Sequence, residues 1–149
     1  MEILERHALD TDIAAHLDAG RMEAAAAAYD EGVRRVADKD PEALHRLQLR
    51  QSDLALQQGD ARRAHDLCEH AAVGFGRHEL PVREAWALLR LARLRATRDG
   101  MNPQLVQMAR ERFVAADLAA GVAALDSVVG DPGASLSWHL ERSTAQARA

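Results

Sequence analysis

The 149 residues are nearly half apolar yet only 3% aromatic, with one cysteine and a formal net charge of −4. A chain of this length buries a core without covalent staples, and the lone Cys68 excludes an internal disulfide framework. No run approaches the roughly 20 apolar residues of a membrane helix. The start Met-Glu-Ile-Leu-Glu-Arg lacks the basic and apolar stretches of a secretion signal, so a soluble cytoplasmic protein without membrane contact is expected.

Abundant alanine with few aromatics suits close-packed helices better than a β-sandwich. Lys39 is the only lysine, and every other basic residue is arginine. That bias points to a GC-rich bacterial genome and says little about function. Charge is uneven along the chain, with a balance of −6 over residues 1–60 and +4 over residues 61–112. Such polarity can steer a charged partner or favour self-association, or it can be an unselected feature of a solvated surface.

Taken in chain order, the punctuation predicts eight helices, near 7–19, 22–37, 41–58, 61–75, 81–98, 103–116, 118–129 and 133–146. Asp40-Pro41, Asn102-Pro103 and Asp131-Pro132 each read as an N-cap followed by the first helical position, where a missing N–H costs nothing. Leu80-Pro81 fits the same place without a polar cap. Gly20, Gly59, Gly100 and Gly130 close apolar-periodic segments, as expected where a chain leaves a helix through the left-handed region.

Each segment carries a stripe to bury. The helix from 22 offers Met22, Ala25, Tyr29, Val33 and Val36. The helix from 61 offers Ala64, Leu67, Cys68, Ala71 and Phe75. The helix from 81 presents Ala85, Leu88, Leu89 and Ala92 with Trp86, Leu91 and Leu94 beside them, so it is apolar on more than one side. The helix from 103 supplies Leu105, Met108, Ala109 and Phe113, and the next supplies Leu118, Val122, Leu125 and Val128. Only Gly121 interrupts residues 103–129, which read either as one long helix or as two with a break near Asp117.

The glycines Gly20, Gly59 and Gly100 recur at intervals of about 40 residues, a repeat signature. Gln58-Gly59-Asp60, followed by Ala64, Cys68 and Ala71, resembles a tetratricopeptide repeat, as does Gly20 with Ala25, Tyr29 and Gly32. The stretch from Ala71 through Trp86 to Gly100 is similar to the longer repeats of bacterial regulators and kinesin light chains. The likeness spans roughly residues 6–131. Gln51 departs from it by standing where the family has leucine, and Gly100 is followed by methionine rather than aspartate. The resemblance implies an all-α superhelix, a solenoid of about four helical hairpins (7–37, 41–75, 81–116 and 118–146) making one domain over 1–149.

Candidate chemistry is sparse. His65, Asp66, Cys68, Glu69 and His70 crowd one helix, but Cys68 falls on the apolar face, so they cannot converge on one ion. Glu42 and His45 make a single Glu-x-x-His pair, whereas a di-iron bundle needs two with further carboxylates. No phosphate loop, zinc-protease motif or nucleophile elbow is present, and neither a metal nor a cofactor is expected.

A polar constellation is more informative. Arg46, Arg50, Asp53 and Gln57 share one face of the helix from 41, and Arg83, Arg90 and Arg93 share a broad sector of the helix from 81. The resemblance implies that these first helices line a concave groove for extended peptides or partner helices. Guanidinium forks clamp carboxylates with paired hydrogen bonds, so an acidic segment or a free C-terminus is the expected occupant. The alternative is that these arginines pair with local acids such as Glu79 and Glu84.

Trp138, beside Leu136 and Leu140, either seals the end of the solenoid or anchors a partner or second subunit. Nucleic acid is the weaker partner class, given the acidic balance and the few stacking aromatics. The expectation is a non-catalytic protein- or peptide-binding adaptor. A regulatory or sensor module taking a signalling peptide or small ligand is the second reading, and an all-α enzyme or metal protein the third.

Overall fold

A computed structural model describes residues 20–131 of the chain. Of these, 83% are helical and none forms a strand, which makes the described protein all-α. The six helices are α1 (Met22–Val36), α2 (Pro41–Gln57), α3 (Ala61–Arg77), α4 (Pro81–Asp99), α5 (Pro103–Ala115) and α6 (Ala119–Gly130). The expected helices at 7–19 and 133–146 lie outside the described residues, as does Trp138.

Proline sets three of the six starts. Pro41, Pro81 and Pro103 each occupy the first turn. The Asp40 carboxylate accepts from the Ala43 amide at 3.1 Å, and Asn102 accepts from Gln104 and Leu105, which satisfies amides the helices leave open. Leu80 caps α4 without a side-chain bond, as its apolar character requires.

Three helix ends share one device. After α2, α3 and α5, the chain makes a Schellman turn, with paired bonds from Asp60 to Ala55 and Gly59 to Leu56, from Leu80 to Phe75 and Glu79 to Gly76, and from Leu118 to Phe113 and Asp117 to Val114. The left-handed residue is Gly59 (φ 81°) in the first turn, but Glu79 (φ 55°) and Asp117 (φ 56°) in the others. Glu79 lets α3 run to Arg77, two residues past the expected end. Asp117 settles the question over 103–129, because a left-handed residue there splits the segment into α5 and α6.

Gly100 closes α4 at φ 84° and ψ 167°, a region essentially reserved for glycine. Gly130 departs from expectation. It is the last residue of α6 rather than a left-handed terminator, and the chain leaves through extended Asp131.

The chain divides into two compact units, Met1–Leu67 and Cys68–Ala149, with the boundary inside α3. In the first unit α1 packs on α2. Ala25, Tyr29 and Val36 meet Ala43, Leu47 and Leu54, with Met22, Ala26, Ala28, Val33 and Leu44 packed around them. In the second unit α4 packs on α5, and α6 packs on both. The Trp86 and Phe113 rings meet edge to face, with centroids 4.9 Å apart and planes at 72°, the arrangement favoured by ring quadrupoles.

Gly121 is a seat rather than a break. A Cβ there would overlap the Phe113 ring, so the missing side chain is what lets that ring lie against the α6 backbone. Met108 is the main exception to the expected stripes, being exposed on α5, while Leu105, Ala109 and Phe113 are buried as expected. Among the described residues no helix is long and apolar enough to cross a membrane.

Candidate functional site

The arginine-bearing faces of α2 and α4 belong to different units. On α2 the apolar residues Ala43, Leu47, Leu49, Leu54 and Ala55 are buried, and so are the polar residues His45, Arg46, Arg50, Gln51 and Ser52. A helix covered on most of its circumference leaves few positions for solvent. Along the expected face, Arg46 and Arg50 are 6% and 7% exposed, Asp53 is half-buried and Gln57 is exposed. Arg50 Nη1 stands 3.9 Å from Asp53 Oδ2, one turn along the same helix.

On α4, Arg83 and Arg90 are 7% and 4% exposed and Arg93 is half-buried. These two buried arginines are spaced i, i+7, so they rise from one face two turns apart. Keeping a guanidinium out of water costs several kcal/mol after relaxation, on the order of a few hydrogen bonds to charge. Arg46, Arg50, Arg83 and Arg90 are therefore not ordinary solvated arginines.

Glu84 pairs with Arg112 of α5, and its carboxylate lies over Gly76, where a Cβ would collide with it. Arg112 also donates from Nη1 to the Met108 carbonyl at 3.0 Å. Two more pairs join helices of the second unit, with Glu69 of α3 to Arg95 of α4 at 2.8 Å and Arg110 of α5 to Asp126 of α6 at 2.7 Å. Each consecutive helix pair of that unit is thus clasped by an arginine and an acid.

The first unit has its own polar junction. Gln51 Nε2 donates to Asp30 Oδ1 of α1 at 2.8 Å, and Arg63 of α3 lies 3.9 Å from the same carboxylate. The Ser52 hydroxyl donates to the Ala64 carbonyl at 2.6 Å, tying α2 to α3. Gln51 thus has its partner on the preceding helix. Nothing in the local sequence announces Asp30 as that partner, since the two are 21 residues apart.

The candidate ligand clusters stay apart. Cys68 is buried, and its thiol points to the Ala87 carbonyl at 3.4 Å, on the apolar side as expected. His65 Nδ1 is 3.5 Å from Asp66 Oδ1 on the neighbouring residue, while Glu69 is committed to Arg95. His45 shares a hydrogen bond with Gln48 at 2.8 Å. Among the described residues, no three of histidine, cysteine, aspartate and glutamate come together as an ion would require. Comparison with protein families, curated proteins and solved structures finds no match to this chain.

Proposed function

We propose that the protein is a cytoplasmic helical-repeat adaptor, a tetratricopeptide-like solenoid that binds a protein or peptide and performs no chemistry of its own. The observation that carries this reading is the set of arginines at the limit of solvent reach on two hairpin-opening helices, Arg46 and Arg50 on α2 and Arg83 and Arg90 on α4. Guanidiniums already immobilised by the fold lose little further freedom when a carboxylate meets them, which favours a planar two-pronged contact. Asp53 and Gln57 on α2, and Arg93 on α4, are the more exposed members of these two faces. The occupant is an acidic segment or a free C-terminus, and a second copy of the chain is the other partner this reading admits.

The test is a pull-down from the native host with two variants. The Arg46→Ala, Arg50→Ala, Arg90→Ala triple removes buried guanidiniums, so circular dichroism and a thermal melt accompany it. The Gln57→Glu, Arg93→Glu double changes only the more exposed positions and should leave the fold intact. A partner held by the wild type and weakened about tenfold, or roughly 1.4 kcal/mol, by the folded double variant supports the arginine faces. Undiminished capture by both folded variants removes them from the binding surface.

A further inference from the structure

We draw no further inference here: the strongest candidate, the solvent-facing aliphatic side chains Met108 and Val114 of α5 and Val129 of α6 in the second unit, carries nothing because nothing in the structure shows what covers them.

Discussion

The two units use different means to hold helices of the same kind. In the first, alanine, valine and leucine side chains around Tyr29 fill the contact between α1 and α2, and polar groups bridge the helices: Asp30 to Gln51 and Arg63, Ser52 to the Ala64 carbonyl. In the second, an aromatic pair occupies the centre, Phe113 lies on Gly121, and each helix junction carries an arginine–acid pair. In the first unit the closest polar contacts between helices come from a glutamine and a serine, at 2.8 and 2.6 Å, and in the second from arginines paired with acids.

That contrast can be broken most sharply at the aromatic centre. Phe113→Ala should cost about 3–5 kcal/mol in urea unfolding, from lost transfer energy and the cavity left behind. Ser52→Ala, at the polar junction, should cost about 1 kcal/mol, the net worth of one buried hydrogen bond. Equal losses for the two would show that the second unit does not depend on its ring pair.

Gly121→Ala tests the seat directly. Helix propensity alone favours alanine by about 1 kcal/mol, but the new methyl meets the Phe113 ring, and overpacking of this kind costs about 1–3 kcal/mol. We expect a lower melting temperature for the single variant and a higher one when Phe113→Ala is the background. The same sign in both backgrounds would mean the ring is displaced without strain.

The three Schellman turns offer a smaller effect of opposite sign in the two units. Gly59→Ala forces a side chain into the left-handed region and should destabilise by about 1 kcal/mol. Asp117→Gly and Glu79→Gly relieve that conformation and should stabilise by up to about 1 kcal/mol, with glutamate gaining more because aspartate tolerates the region better. Denaturation midpoints compare all three, and a loss on placing glycine at 79 would show that the Glu79 side chain contributes more than its backbone costs.

The smallest effect is on α1. Glu31 accepts from Arg34 and from Arg35, and the hydrogen bond and charge of Arg34, then the hydrogen bond of Arg35, hold its carboxyl below the ordinary glutamate value. Because the folded value is the lower one, the stabilisation is complete above the unfolded value and is lost as pH falls through the folded value. The side chain is exposed to solvent, so the contribution is screened. An NMR titration should place the Glu31 midpoint below that of an unpaired glutamate, and the gap should shrink in Arg34→Gln.

Much of the helical frame was legible from local signals. Pro41, Pro81 and Pro103 mark starts because proline tolerates the first turn alone, and Gly59 and Gly100 mark ends because their backbone angles suit glycine. The buried stripes through Tyr29, Cys68, Leu89 and Leu125 follow from the 3.6-residue period. Among the described residues, the arginine positions were also readable as faces of α2 and α4, whereas their degree of burial was not.

What tertiary structure decided has a common cause, which is that it depends on a neighbouring helix rather than on the adjacent turn. Glu79 and Asp117 adopt left-handed angles because the chain must reverse there to pack the next helix, although neither residue prefers them. Gly121 became a ring seat only once α6 met α5, and Gln51 found its use only once α2 met α1. Periodicity assigns a residue to a side of its helix, but only the packed neighbour settles whether that side is open to water, as Met108 is, or closed, as Arg90 is.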